Sequence, residues 1–153
     1  MRPIYHFEKV SDNLSCAGQP TEEQFRELVA GKFDVIINLG LLDTKYSLPN
    51  EEDLVDSLGM DYYHIPVIFE GPQISELAQF ISCMDQNPDK KVLVHCAANY
   101  RASAFAGLYL FAKAKIPEEE LQDFVEDVWK PNTVWQKFLE DSVSYIKTSK
   151  ASC

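Results

Sequence analysis

The stretch KVLVHCAANYRAS, residues 91–103, decides the fold of this chain. An apolar run leads into His95 and Cys96, a loop of small residues follows, and a long apolar segment begins after Arg101. This order predicts a buried strand, a turn and a helix. We therefore expect Cys96 to lie at a helix N-terminus, where unpaired backbone amides and the helix dipole favour a thiolate and a neighbouring anion.

Arg101 adds a permanent planar cation with forked donors to this loop. A thiolate beside such a cation suits attack on phosphorus or on activated sulfur, through a covalent intermediate on the cysteine. The alternative is a buried structural cysteine that ends a core strand. The neighbouring His95 and the order of strand, loop and helix favour the catalytic interpretation. The backbone amides expected to cradle an anion are those of Ala97, Ala98, Asn99, Tyr100, Arg101 and Ala102.

The composition is that of one globular domain. The chain has 153 residues, 46% hydrophobic and 25% charged, and residues 1–153 are expected to share a single core. The formal net charge of -10 disfavours nucleic acid and anionic membrane surfaces as partners. No segment approaches the roughly 18 apolar residues of a membrane span, which predicts a soluble protein.

Cysteine and histidine spacing indicates neither disulfides nor a metal site. The chain contains four widely separated cysteines, Cys16, Cys83, Cys96 and Cys153. They match no zinc or small disulfide pattern, so we interpret them as mostly free thiols in a reducing compartment such as the cytoplasm. A periplasmic location would require a leader segment before this sequence. The three histidines have no ligand spacing, so neither a metal nor another cofactor is expected.

Strands and helices alternate along the rest of the chain. The predicted strands cover residues 14–17, 33–39 and 61–67 and the apolar run before Cys96. The predicted helices cover residues 21–30, 50–58, 74–84, 102–115, 117–128 and 132–146. A capping-box pattern at Thr21 and Gln24 opens the first helix, and Asn50 is expected to cap the second. We therefore predict a three-layer α/β fold, with a central, mostly parallel sheet of about four to five strands and helices on both faces.

His95, Cys96 and Arg101 resemble the signature of the cysteine-dependent protein tyrosine and dual-specificity phosphatase superfamily, which is His-Cys, five residues, Arg, and Ser or Thr. The segments YHIPV (63–67) and PNTVW (131–135) are similar to a preceding strand and a later helix start of that family. The opening GQPT, residues 18–21, is similar to a group of bacterial phosphatase-like domains.

This resemblance implies hydrolysis of a phosphomonoester, on a small molecule or a phosphoprotein such as one carrying phosphotyrosine, through a cysteinyl-phosphate. It makes Cys96 the nucleophile and Arg101 the oxyanion clamp. The family's general acid is an Asp after the strand that resembles residues 63–67, and the nearest match here is Glu70. The alternative for Glu70 is an ordinary solvated loop acid.

The resemblance also implies supporting roles for three residues. His95 would fix the loop and favour the thiolate, and Ser103 would supply a displaced hydroxyl that helps the cysteine leave. Asn132 resembles an asparagine that braces the loop in the family, although capping of the last helix explains it equally well.

The loop departs from the signature in its length, since only four residues separate Cys96 from Arg101. A gapped alignment retains Arg101 and puts Ala102 in the place of the Ser or Thr. An ungapped alignment puts Ser103 on the hydroxyl position and replaces the arginine by Ala102. The register of the following helix favours the gapped alignment. This loop length is also typical of rhodanese-type sulfurtransferases, which carry a persulfide, and a catalytically silent phosphate-binding module is a third interpretation.

Overall fold

Five strands and six helices alternate along residues 3–42 and 44–151, the part of the chain that a computed structural model describes. The strands are β1 (Glu8–Lys9), β2 (Leu14–Ala17), β3 (Val35–Asn38), β4 (Asp61–His64) and β5 (Val92–His95). The helices are α1 (Glu22–Ala30), α2 (Glu51–Ser57), α3 (Ile74–Asp85), α4 (Tyr100–Ala112), α5 (Glu118–Glu126) and α6 (Thr133–Ala151). Cys153, predicted to be a free thiol, lies outside the described residues.

The strands form one sheet in the order β1-β2-β5-β3-β4. All neighbouring pairs are parallel except β1 and β2, which pair antiparallel at one edge. Ala17, His95, Asn38 and His64 stand in register at the carboxyl ends of the four parallel strands. Because α/β proteins bind ligands at this edge of the sheet, the topology puts Cys96 where a site is expected.

Helices cover both faces of the sheet because successive strand residues point to opposite sides. Ile36 and Leu93 pack into one core with residues of α1 and α2. Ile37 and Val94 pack into the other core, which is formed with α3, α4, α5 and α6. These two cores confirm the predicted three-layer α/β fold with a mostly parallel sheet.

The predicted start of the first helix is confirmed in atomic detail. The Gln24 amide donates to Thr21 Oγ1 at 3.1 Å, and the Thr21 amide donates to Gln24 Oε1 at 2.9 Å. This reciprocal capping box satisfies two donors that the helix itself leaves unpaired. In the described part of the chain, no helix is both long and apolar enough to cross a bilayer.

The structure differs from the sequence-based expectations at five points. Strand β1 was not predicted, since two exposed residues at a sheet edge show no hydrophobic period. The predicted strands 33–39 and 61–67 extend beyond the paired segments of β3 and β4. Asn50 precedes α2 in a left-handed conformation (φ 59°) and makes no side-chain capping bond. Helix α4 begins at Tyr100, two residues before the predicted start, because Asn99 turns the chain with φ 70°.

Candidate active site

A cavity of about 350 Å³ lies at the carboxyl ends of β3 and β5. Cys96 lines it and is only 1% exposed, so its thiol can be reached from the cavity alone. The predicted site residues that line the cavity are Cys96, Ala97, Ala98, Tyr100, Arg101 and Glu70. The other lining residues are Gln19, Gly40, Leu41, Thr44, Tyr46, Ser47 and Phe69. The structure therefore brings the proposed nucleophile, cation and acid to one cavity.

The loop after Cys96 presents unpaired backbone amides. The amides of Ala97, Ala98, Tyr100 and Arg101 have no hydrogen-bond partner among the described residues. Asn99 adopts a left-handed conformation, which bends the chain directly into α4. Free amides at a helix N-terminus attract an anion, so the loop can bind the oxygens of a phosphoryl group.

The segment after β2 packs tightly across this loop. The backbone amide of Gln19 donates to the Ala97 carbonyl at 3.0 Å, and Gly18 forms an isolated β-bridge with Ala98. A Cβ atom on residue 18 would lie 2.7 Å from the Ala97 carbonyl oxygen. The glycine is needed here because any side chain would push the loop out of place.

The guanidinium of Arg101 is held in a fixed position at the cavity. Its Nη1 donates to the Val67 carbonyl at 2.8 Å, and the side chain is largely buried. This is the one hydrogen bond of that guanidinium within the described chain. The remaining donors of the planar fork are thus available to a ligand with two or more oxygens.

An aromatic cluster fastens the loop that carries Glu70 to the start of α4. Phe69 contacts the rings of Tyr100, Trp129 and Trp135, and its carbonyl accepts a hydrogen bond from the Trp135 indole at 2.7 Å. Tyr100 stacks on Trp129 with ring centroids 4.5 Å apart. Glu70 itself is exposed and lines the cavity. Its loop is therefore held in place by aromatic contacts while its carboxyl group stays open to solvent.

Five of the predicted site residues lie outside the cavity lining, namely His95, Asn99, Ala102, Ser103 and Asn132. The Ser103 hydroxyl donates to the Tyr100 carbonyl at 3.1 Å within α4, and Ala102 is fully buried behind the loop. Asn132 Oδ1 accepts from the Trp135 amide at 2.9 Å, so this residue caps α6. Because Trp135 holds the Phe69 carbonyl, the Asn132 cap supports the loop that carries the acid.

Glu51 is a site residue that sequence reasoning missed, since an acid in the first turn of a helix is common and usually solvated. Its carboxylate is 3% exposed and lies 2.7 Å from Nε2 of His95, which is fully buried. The sequence does contain a signal for the burial of Glu51, because this residue lies four positions before Val55 and so shares the buried stripe of α2.

Burial alone would raise the pKa of Glu51, but its partners reverse the effect. The hydrogen bond and charge of His95, with hydrogen bonds from Gln19 and Tyr62, lower the pKa of Glu51 below its ordinary value. Gln19 Nε2 donates to the same carboxylate at 2.7 Å. Glu51 is therefore an ionised, fully partnered carboxylate inside the protein.

The two other described cysteines differ from Cys96 in their surroundings. Burial raises the pKa of the Cys16 thiol to about 12 and that of the Cys83 thiol to about 11. Neither lines the cavity. These thiols stay protonated and unreactive at neutral pH, and they serve as internal references for the reactivity of Cys96.

Comparison with solved structures finds phosphatases. A DUF442 protein of Shewanella putrefaciens CN-32, for which a phosphatase function is suggested, is 36% identical, with a TM-score of 0.86 and 94% of each chain covered. A second structure is the kinase associated phosphatase with its catalytic-site cysteine replaced by serine. It is 17% identical, has a TM-score of 0.81, and the match covers 96% of this chain and 98% of that one.

A third structure, PTPMT1 in complex with PI(5)P, is 15% identical, with a TM-score of 0.79 and coverage of 94% and 98%. At this identity the likeness concerns the fold alone. No curated protein matches the chain at a significant level. A family model described as "DSP-PTPase phosphatase fused to NAD+ Kinase" matches residues 8–137. By this match and by the Shewanella relative, the chain belongs to that family of dual-specificity and tyrosine phosphatase-like proteins.

Proposed function

We propose that this protein hydrolyses phosphomonoesters through a cysteinyl-phosphate intermediate on Cys96. The observation that carries the proposal is the cavity in which Cys96 lies beside four unpaired loop amides and the guanidinium of Arg101. The kinase associated phosphatase, which shares the fold, has a catalytic-site cysteine. Family membership and cavity chemistry support the same class of reaction.

In the first step the thiolate of Cys96 attacks phosphorus and the bond from phosphorus to the ester oxygen breaks. The leaving oxygen takes a proton from the carboxyl group of Glu70. In the second step a water molecule attacks the phosphorus of the cysteinyl-phosphate. Glu70 accepts the proton of that water, inorganic phosphate is released, and the thiolate is regenerated.

The loop amides and Arg101 stabilise both steps electrostatically. The three non-bridging oxygens of the phosphoryl group would accept hydrogen bonds from the loop amides and from the forked donors of Arg101. These donors are already oriented before the substrate arrives, because the Val67 carbonyl holds the guanidinium and Asn99 sets the turn. Little reorganisation is then needed as charge moves in the transition state.

The cavity favours one phosphate on an apolar or aromatic group, as in phosphotyrosine. Its walls include Leu41, Tyr46 and Phe69, and Arg101 is the only cation among the described lining residues. A volume of about 350 Å³ accommodates a phosphate and one ring. A ligand with several phosphates would meet a single cation in a chain of net charge -10. We therefore expect aryl phosphates to be better substrates than polyphosphorylated inositols.

The function is tested by incubating the protein with an aryl phosphate and with phosphotyrosine peptides and measuring the release of phosphate. Acid quenching during turnover should trap phosphate on the peptide that contains Cys96, detected by mass spectrometry. Production of thiocyanate from thiosulfate and cyanide, without phosphate release, would instead identify a sulfurtransferase. Binding of phosphate analogues without either turnover would identify a silent module.

Glu70→Gln tests the general acid. Because the amide cannot protonate a leaving oxygen, hydrolysis of phenyl or alkyl phosphates should fall by about 10²- to 10⁴-fold. Hydrolysis of p-nitrophenyl phosphate should fall far less, since its leaving group departs without a proton. Glu119→Gln, which removes an exposed acid from α5, is the matched control. An equal loss with both classes of leaving group would exclude this role for Glu70.

A further inference from the structure

Behind the cavity, one carboxylate joins segments that form its walls. Glu51 Oε1 accepts from Gln19 Nε2 at 2.7 Å, and Oε2 pairs with His95 Nε2 at 2.7 Å. The hydroxyl of Tyr62 is a further polar neighbour of the same carboxylate and helps to lower its pKa. Gln19 lines the cavity, and His95 immediately precedes Cys96. Two of the three contacts therefore lead directly to the site.

The third contact, through Tyr62, leads to the segment after β3. The Tyr62 hydroxyl accepts from Asn38 Nδ2 at 3.0 Å, and Asn38 Oδ1 accepts from the Gly40 amide at 2.8 Å. Gly40 lines the cavity, and a Cβ atom on it would lie 3.6 Å from the Cα atom of Cys96. The bonds that converge on the carboxylate thus reach this wall as well.

Both ring nitrogens of His95 face oxygens that only accept hydrogen bonds. Nε2 is 2.7 Å from the carboxylate of Glu51, and Nδ1 is 3.3 Å from the carbonyl oxygen of Cys96. A ring that carries a proton on each nitrogen, which is an imidazolium, would satisfy both acceptors. The ring of Phe25 packs edge-on against it with centroids 5.9 Å apart and holds its orientation.

We propose that Glu51 is a positioning residue of the active site, whose carboxylate holds His95 as an imidazolium and links three walls of the cavity behind Cys96. The proposal rests on the phosphatase function proposed for Cys96. Because the Glu51 and His95 pair is neutral overall, it acts on the loop by orientation rather than by net charge. The Nδ1 proton of His95 fixes the Cys96 carbonyl, and the loop amides that follow keep facing the cavity.

Glu51→Gln is the central variant, because it keeps the size of the side chain and removes the charge and one acceptor. Gln19 and His95, which contact different oxygens of the carboxylate, then face a side chain with a single oxygen. Loss of a charge-assisted hydrogen bond should lower kcat for an aryl phosphate by about 10- to 100-fold, with a smaller change in KM. Glu52→Gln is the matched control, since it removes an exposed charge from the same helical turn.

Two readouts separate positioning from simple loss of structure, and neither requires turnover. Nitrogen NMR of labelled histidine should show two ring protons on His95 in the parent protein and one in Glu51→Gln. Alkylation by iodoacetamide, followed for each cysteine peptide, should slow about tenfold at Cys96. Cys16 and Cys83 should stay protected, whereas unfolding would expose both and speed their labelling.

Tyr62→Phe keeps the ring and removes the hydroxyl between Glu51 and Asn38, so it should slow turnover in the same direction by about 2- to 10-fold. The proposal is overturned if Glu51→Gln matches Glu52→Gln in alkylation and in histidine protonation, or if all three cysteines label faster. A parent protein that shows the NMR and alkylation pattern but releases no phosphate would contradict the proposed phosphatase function and leave the positioning role supported.

Discussion

Replacement of Cys96 by serine is expected to abolish hydrolysis of aryl phosphates, with a fall in turnover of about 10⁴-fold or more. The serine hydroxyl stays protonated at neutral pH, so it is a far weaker nucleophile than a thiolate. The loop amides and Arg101 are unchanged in this variant. Phosphate or vanadate should therefore still bind, which separates the loss of the nucleophile from the loss of the site.

The matched control for this prediction is Cys83→Ser. Cys83 lies on α3 as a buried thiol outside the cavity, and the substitution makes the same chemical change there. Its turnover should stay close to that of the parent protein. The cysteinyl-phosphate mechanism would be wrong if Cys96→Ser kept its turnover, or if phosphate were trapped on another residue.

Arg101→Lys is expected to lower kcat for an aryl phosphate by about 10³-fold, although the charge is kept. A lysine ammonium lacks the planar fork, so it cannot bind two phosphoryl oxygens while another donor holds the Val67 carbonyl. The loss should be larger in kcat than in KM, because the contacts strengthen as charge moves onto the equatorial oxygens.

Arg26→Lys provides the control for this substitution. Arg26 lies on α1 and pairs with Glu22 at 2.9 Å, and both side chains are more than half exposed. Such surface pairs contribute little, so neither turnover nor stability should change measurably. If Arg101→Lys were as active as Arg26→Lys, the guanidinium could not be the clamp for the transferred phosphoryl group.

Much of the fold could be predicted from the sequence because its signals are local. The apolar run before Cys96 and the β-rich residues 33–39 indicated parallel strands, and the Thr21 capping box marked a helix start that the structure reproduces. The ends of helices and strands could be predicted less closely. At Asn99, for example, a left-handed turn starts α4 two residues before the predicted position. Strand β1 has no pattern of its own, since only its pairing with β2 makes it a strand.

The sequence by itself predicted the loop proposed as the centre of the site, because Cys96, the four following residues and Arg101 are contiguous and their spacing implies an anion cradle. Tertiary structure decided what surrounds that loop. The pairing of Glu51 with His95 joins residues 44 positions apart, and the contact from Val67 to Arg101 spans 34. Such contacts follow from sheet register and helix docking, which no local spacing encodes. For that reason the sequence could name Cys96 and Arg101 but could not place Glu51 behind them.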